Sequence, residues 1–130
     1  MGLDQYAYTT SHAHRVAHET GANEEQLEAF EEGCEQLHYW RKHANLNQWM
    51  TDLYFQKDGG VSEFNCVKLF LDAEDIDALE KVVCEGALPH GEGFFWGKST
   101  LEDKLLDLEF ISKARKALKS GKEVYYYCWY

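Results

Sequence analysis

Apolar and polar side chains alternate at both ends of the chain, with the two-residue period of a β-strand. Residues 2–10 form the first such segment and residues 123–130 form the last. In the last segment Tyr126 and Cys128 share one face, and Tyr125, Tyr127 and Trp129 share the other. We therefore predict a strand at each end of the chain, with one face of each strand turned toward a core.

A third strand is predicted over residues 61–71, where apolar side chains occupy both faces. Because little of this segment is polar, we expect it to lie in the centre of the sheet.

Helical periodicity dominates residues 23–57. Asn23 followed by Gln26 has the signature of a capping box, and apolar residues then recur three and four positions apart. The period shifts by about one residue near Asn45, which indicates a kink or a second helix. Two more helices are predicted over residues 72–86 and 99–121, since each segment opens with a capping box and closes at a glycine.

The order of these elements is β, helical region, β, α, α, β. It predicts an α+β fold with a small three-stranded, mainly antiparallel sheet, packed against about four helices. The polar segment 10–21 between the first strand and the helical region is predicted to be a loop or a short helical turn. Its His14 and His18 have the spacing of a metal pair, but no third ligand is evident nearby, so a solvated loop is favoured. We assign no metal and no other cofactor.

Composition narrows the function classes. The chain has 130 residues, of which 45% are hydrophobic, enough for one domain with a core of its own. Its net charge of −10 argues against general binding of DNA, RNA or anionic membranes. The four cysteines lack the spacing of a zinc knuckle or a redox motif, and residues 1–4 do not resemble a signal peptide. A cytoplasmic location is therefore expected.

The most distinctive stretch is His38-Tyr39-Trp40-Arg41-Lys42-His43-Ala44-Asn45, a basic and aromatic island in an acidic chain. If this stretch is helical, the side chains of His38, Arg41 or Lys42, Asn45 and Trp49 form one stripe, because residues three and four apart share a face. Such a stripe suits a flat anionic ligand, since guanidinium groups bind phosphate or carboxylate in a fork and indoles stack. The alternative, favoured by this stretch alone, is that the tryptophans are core residues and the cations neutralise nearby carboxylates.

A second aromatic group lies in the loop 88–98, which contains the only proline, three glycines and three consecutive aromatic residues. This loop is either a lid over a ligand or a loop held in place by its buried rings. Together with the aromatic last strand, these segments give the predicted ligand-binding residues: Tyr39, Trp40, Arg41, Lys42, Asn45, Trp49, Phe94, Phe95, Trp96, Tyr126 and Trp129.

The sequence contains no Gly-x-Ser-x-Gly elbow, phosphate-binding loop, His-Glu-x-x-His motif or Cys-x-x-Cys pair. Cys34 and His38 could pair as nucleophile and base on a helix, but Cys34 lies on the apolar stripe, which favours a packed thiol. Glu35 with His38 is a weak acid–base pair. We assign no catalytic residue, although a small phosphodiesterase-like enzyme stays open because that chemistry needs little beyond a base and cations.

The assembled motifs resemble a family of small proteins common in bacteriophage genomes and in some bacterial ones. The resemblance covers nearly the whole chain and depends on these segments: Met1-Gly2-Leu3-Asp4-x-Tyr6, Tyr39-Trp40-Arg41-Lys42-x-x-x-Leu46-x-x-Trp49, Asn65-Cys66, Gly93-Phe94-Phe95-Trp96-Gly97 and Val124-Tyr125-Tyr126 with Trp129. Members are often labelled phosphoglycerate kinase, a label that does not fit a chain this short without phosphate loops. Members usually end in Tyr-Tyr-x-Ser-Ser-Trp, whereas Tyr127 and Cys128 stand in the serine positions here. The resemblance implies a phage setting.

These observations favour a protein that sequesters a small, anionic, nucleotide-like metabolite in the host cytoplasm, for which a host immune signal is the natural candidate in a phage setting. An acidic inhibitor that blocks a basic host protein is the alternative, because every charged residue from Glu19 to Glu35 is acidic. A third possible function is that of a small enzyme acting on the same ligand class. The aromatic ending also suggests a homodimer or a larger homo-oligomer, with no direct binding of nucleic acid or membrane.

Overall fold

A computed structural model describes residues 3–31, 33–58, 68–89 and 101–129 of the chain. These residues form an α+β fold, as predicted. In chain order the elements are β1 (Asp4–Thr10), α1 (His12–Glu19), α2 (Glu24–Glu31), β2 (Glu35–Arg41), α3 (Ala44–Asp58), β3 (Leu69–Leu71), α4 (Ala73–Glu85), α5 (Leu101–Lys119) and β4 (Glu123–Trp129).

The strands form one antiparallel sheet in the order β2-β1-β4-β3. The sequence predicted three strands, and the described residues contain four, because β2 was not foreseen. They also contain five helices rather than about four. Of the predicted strand 61–71, residues 69–71 form β3, at an edge of the sheet rather than in its centre, and residues 61–67 lie outside the described residues.

The prediction of one helical region over residues 23–57 was wrong, since β2 separates α2 from α3. In β2, Trp40 pairs with Gln5, and His38 pairs with Ala7. Both side chains are buried, whereas the intervening Tyr39 is exposed. The spacing of apolar residues in so short a segment fits either a helix or a strand. Hydrogen-bonded pairing with β1 favours the strand.

One face of the sheet packs against α3, α4 and α5 and forms the core. The buried apolar residues of this layer come from all three helices and all four strands, and include Leu3, Ala7, Trp40, Leu46, Met50, Leu71, Ile76, Leu79, Phe110, Ala114 and Tyr126. The two faces of β1 and β4 are those that the alternating pattern predicted, because odd positions of β1 and even positions of β4 point into this core.

Helices α1 and α2 cover part of the opposite face of the sheet. The first lies where a loop or short turn was predicted. Ser11 caps it, its side chain accepting a hydrogen bond from the backbone N–H of His14. The predicted capping box of α2 is confirmed, since the Asn23 side chain accepts from the Gln26 N–H and the Gln26 side chain accepts from the Asn23 N–H.

The predicted limits of α4 are also confirmed. Asp72 and Asp75 form its capping box, and Gly86 ends it with a left-handed backbone at φ +67°. Gly121, with φ +86°, follows α5. Residues 99 and 100, which open the predicted capping box at 99–102, lie outside the described residues.

Candidate functional site

The uncovered part of the second sheet face is lined by aromatic side chains. We call the group formed by Tyr6, Tyr8, Tyr39, Tyr127 and Trp129 the tyrosine face. Strand alternation places them on one side of the sheet, and the antiparallel register sets Tyr39, Tyr6 and Tyr127 in one row across β2, β1 and β4. Tyr39 is 42% exposed and Trp129 57%, so both rings are accessible.

The four tyrosine rings of the tyrosine face are joined by ring contacts that all include Tyr6. The centroid of Tyr6 lies 5.1 Å from that of Tyr39, 6.1 Å from that of Tyr8 and 6.4 Å from that of Tyr127. These separations are typical of packed aromatic pairs. The four tyrosine rings are therefore held together by ring contacts within the sheet.

The tyrosine face leads into a cavity of about 290 Å³. Its lining residues are Tyr8, Cys34, Lys68, Tyr125 and Tyr127. The ammonium of Lys68 lies 5.7 Å from the centroid of the Tyr125 ring, within the range of a cation–π contact. The cavity thus combines aromatic walls with a positive charge.

A second cation lies at the β2 edge of the same face. The side chain of Arg41 is 63% exposed, and its Nε lies 3.9 Å from Oδ1 of Asp4. The same carboxylate oxygen accepts a hydrogen bond of 2.6 Å from the hydroxyl of Tyr39. That bond raises the pKa of Tyr39 to about 12, with smaller contributions from burial and from the charge of Asp4. Tyr39 therefore stays a neutral donor at physiological pH.

A buried polar cluster lies behind the cavity, where α1 and α2 meet the sheet. His14 is fully buried, and its ring lies parallel to that of Phe30 at 5.5 Å. Its Nδ1 is 2.8 Å from Oγ1 of Thr10 and 3.6 Å from Sγ of Cys34. The sequence left open a pairing of Cys34 with His38 on a helix but favoured a packed thiol. That pairing does not occur, because β2 carries His38 to the other side of the sheet, and the imidazole near Cys34 is that of His14.

The predicted stripe of His38, Arg41, Asn45 and Trp49 on one helical face does not exist, because the first two residues belong to β2. Of the predicted ligand-binding residues, the structure brings Tyr39, Arg41 and Trp129 to the tyrosine face. The strand geometry therefore divides the basic and aromatic island between two sides of the sheet.

Trp40 and Tyr126 lie on the core side, 1% and 0% exposed. Asn45 and Trp49 are half-buried in α3, and Trp49 packs against the core. Lys42 is exposed, with φ +59°, and its backbone N–H donates to the carbonyl of Leu3. The predicted residues Phe94, Phe95 and Trp96 lie outside the described residues.

The core side contains a second group of polar residues, the buried polar network. Nε2 of His43 lies 2.8 Å from Oδ2 of Asp107, and the indole N–H of Trp40 donates to Oδ1 of the same carboxylate at 3.0 Å. Gln5 donates to the hydroxyl of Tyr126. Burial raises the pKa of Asp107, although its hydrogen bond to His43 opposes that effect. Because these groups lie within the core, we interpret the network as structural.

The predicted ligand-binding residues did not include six residues of the site: Tyr6, Tyr8, Cys34, Lys68, Tyr125 and Tyr127. The signal for the tyrosines was present, since the alternation in residues 2–10 and 123–130 already set which side chains share the outward face. Within the described ranges, no group of three potential metal ligands occurs. His14 and His18 instead contact aromatic rings, the latter at 5.4 Å from Phe70.

Comparisons with protein-family models, with curated proteins and with solved structures gave no match to this chain. In the described ranges, no helix has the length and the apolar character needed to cross a bilayer.

Proposed function

We propose that this protein binds and sequesters a small anionic molecule with a flat ring, of the nucleotide class, in the cavity beside the tyrosine face. One observation carries the proposal: the cavity has tyrosine walls from β1 and β4 and the ammonium of Lys68 among its lining groups. Flat rings stack on aromatic side chains, and phosphate or carboxylate groups bind cations.

The magnitudes agree with a specific small-molecule site. Stacking of a base on an aromatic side chain contributes about 1–3 kcal/mol. A hydrogen bond to a charged group contributes roughly 1.5–3 kcal/mol where water is excluded. The cavity volume of about 290 Å³ is near the lower limit for small-molecule sites, so a mononucleotide or a smaller part of a larger ligand is the expected occupant.

The resemblance to small phage proteins suggests a biological role for such binding. In a phage setting, a nucleotide-derived immune signal of the host is the ligand whose removal would serve the phage. We therefore propose an anti-defence role for the protein, by sequestration of the signal.

Calorimetry of the full chain with a panel of mononucleotides, cyclic nucleotides and dinucleotides tests the binding. We expect at least one of them to bind, and Lys68→Met to weaken that binding by about 10- to 150-fold, the loss of one charge-assisted hydrogen bond. Lys81→Met is the matched control, because it removes the same charge from an exposed position of α4. No binding across the panel, or equal losses in both variants, would contradict the proposal.

A second measurement separates binding from catalysis. After incubation with the chain, the bound nucleotide is released by denaturing the complex and analysed by mass spectrometry. Sequestration predicts that it is recovered intact. Recovery of a hydrolysed product would instead support the phosphodiesterase-like alternative.

A further inference from the structure

The thiol of Cys34 lies in the wall of the cavity with polar partners on its inner side. Cys34 is half-buried and lines the cavity, so a small molecule in the cavity can reach it. Its Sγ donates to Oγ1 of Thr10 at 3.3 Å and lies 3.6 Å from Nδ1 of His14. Cys34 therefore faces the cavity and contacts an imidazole and a hydroxyl, unlike a cysteine that is packed among apolar side chains.

The hydrogen-bond roles in this cluster follow from the ammonium group. Nζ of Lys68 lies 3.5 Å from Nε2 of His14. An ammonium can only donate, so Nε2 is the acceptor in this contact and the ring hydrogen is on Nδ1. Nδ1 then donates to Oγ1 of Thr10 over 2.8 Å. The imidazole is held in this orientation by the parallel ring of Phe30.

This arrangement leaves the Thr10 hydroxyl hydrogen available for the sulfur. When Cys34 loses its proton, the hydroxyl rotates and donates to the thiolate. Hydrogen bonds then run in one direction from Lys68 through His14 and Thr10 to Cys34. Such a chain is polarised by the ammonium at its start, and each bond strengthens the next. The hydroxyl of Thr10 is therefore within reach of a thiolate at Cys34 and can donate to it.

We infer that Cys34 is a reactive thiol that exchanges with small anionic disulfides entering the cavity. The thiol releases its proton to solvent, and the thiolate attacks one sulfur of the disulfide. A new S–S bond forms at Cys34, the original S–S bond breaks, and the other half leaves as a thiolate that takes up a proton. Cys34 is oxidised to a mixed disulfide, and the departing half is reduced to a thiol. Lys68 favours an anionic disulfide over a neutral or cationic one.

The chain supplies two internal controls for this reaction. Cys84 is exposed on α4, and Cys128 is fully buried in β4. If exposure alone determined the rate, Cys84 would react before Cys34. Replacement of Cys66, which lies outside the described residues, by serine leaves three thiols with known surroundings.

The test is the rate of mixed-disulfide formation at each cysteine of the Cys66→Ser protein, measured by peptide mass spectrometry with oxidised glutathione near neutral pH. We expect Cys34 to react about tenfold faster than Cys84, because Lys68 attracts the anionic disulfide into the cavity and the Thr10 hydroxyl lies next to the sulfur. Thr10→Val, which keeps the shape but removes the hydroxyl, should reduce the rate at Cys34 and leave that at Cys84 unchanged. A rate at Cys34 equal to or below that at Cys84, or unchanged in Thr10→Val, overturns the inference.

A second variant tests the charge preference. Lys68→Met should reduce the ratio of the Cys34 rate with oxidised glutathione to that with cystamine, a cationic disulfide, by about fivefold or more. An unchanged ratio would refute the role of Lys68 in selecting anions. The inference does not depend on nucleotide binding, because a chain that binds no nucleotide can still show the fast reaction at Cys34.

Discussion

His43 and Asp107, which are 64 residues apart in the chain, lie 2.8 Å apart inside the protein, between Nε2 of the imidazole and Oδ2 of the carboxylate. Their side chains are 2% and 1% exposed. The second oxygen of Asp107 accepts the indole N–H of Trp40. One carboxylate therefore connects α5 to β2 and to the residue that precedes α3.

Removal of this carboxylate should destabilise the fold strongly. Asp107→Ala leaves the indole N–H of Trp40 and the imidazole of His43 without their acceptor inside the core. Removal of one partner of a buried pair lowers the free energy of unfolding by about 3–5 kcal/mol, because the other partner stays buried without it. Urea unfolding at neutral pH measures the free energy of unfolding. Asp77→Ala is the control, since the Asp77 side chain is 71% exposed and its ion pair with Arg115 should contribute about 0–1 kcal/mol. Equal losses in the two variants would contradict a structural role for the network.

A pH-dependent contribution is expected from Asp72, which precedes α4. Its carboxylate accepts a hydrogen bond of 2.6 Å from Arg15, and this bond, more than the charge of Lys57, lowers its pKa below 3.8. A carboxyl whose pKa is lower in the folded state binds its proton more weakly there. Its stabilising effect is therefore complete above pH 3.8 and is lost as the pH falls through the folded value.

Asp72→Asn keeps a capping oxygen but removes the charge. We expect it to reduce the free energy of unfolding at neutral pH by about 0.2–1 kcal/mol, since the pair is half exposed and screened. The difference between the two proteins should disappear on acidification below pH 3.8. Denaturant unfolding across that range measures it, and a difference that persists at the lowest pH would show that the effect is not electrostatic.

The sequence predicted most of the architecture outside β2. The patterns at both termini gave β1 and β4 with the correct faces, and the capping signatures gave the starts of α2 and α4. These features are local, so the residues that determine them are neighbours in the sequence. The strand β2 instead depends on pairing with a segment that is distant in the sequence. The side chains of His38 and Trp40 point into the core because β1 lies beside β2.

The candidate site was predictable only in part, for the same reason. Tyr39, Arg41 and Trp129 were among the predicted residues. The others on the predicted helical stripe were misplaced, because a strand puts different residues on one face than a helix does. Lys68 reaches the cavity through the position of β3 at the sheet edge, and Cys34 meets His14 because α1 and α2 pack together. These juxtapositions depend on the assembled fold, and no spacing in the sequence encodes them.

His38 should make the protein less stable in mild acid. It is 9% exposed, and burial, aided by the charge of Lys113, lowers its pKa below 6.5. The unfolded chain then binds the proton more tightly than the folded one. Stability is therefore lost as the pH falls through 6.5 toward the folded value.

His38→Phe tests this expectation. Nε2 of His38 is buried with no hydrogen-bond partner among the described residues, so a phenyl ring at this position loses no hydrogen bond of that nitrogen. We expect the free energy of unfolding of the variant to be nearly the same above and below pH 6.5, whereas that of the unmodified protein falls on acidification. Denaturant unfolding on both sides of that pH measures the effect, and parallel losses in the two proteins would assign it to other groups.

Tyr39 should titrate separately from the other tyrosines. Its hydrogen bond to Asp4 raises its pKa to about 12, and Asp4→Asn should return it toward 10.0. NMR of protein with isotope-labelled tyrosine rings follows each phenol, and Tyr39→Phe assigns the signal. Asp77→Asn is a control of equal charge change on α4, from which no change at Tyr39 is expected. A Tyr39 signal that titrates with the same midpoint in the native and Asp4→Asn proteins would exclude the hydrogen bond as the cause.

The same substitution tests whether the whole tyrosine face contributes to anion binding. Oδ1 of Asp4 lies 3.9 Å from Nε of Arg41, so its negative charge opposes an anion near the exposed guanidinium. Asp4→Asn should therefore strengthen nucleotide binding by roughly 0.5–1 kcal/mol at low salt, and the gain should shrink as salt is added. Calorimetry with any nucleotide found to bind the native protein measures the change, with Asp77→Asn as the distant control. If Asp4→Asn binds no more tightly than that control, Arg41 has no part in the proposed anion binding.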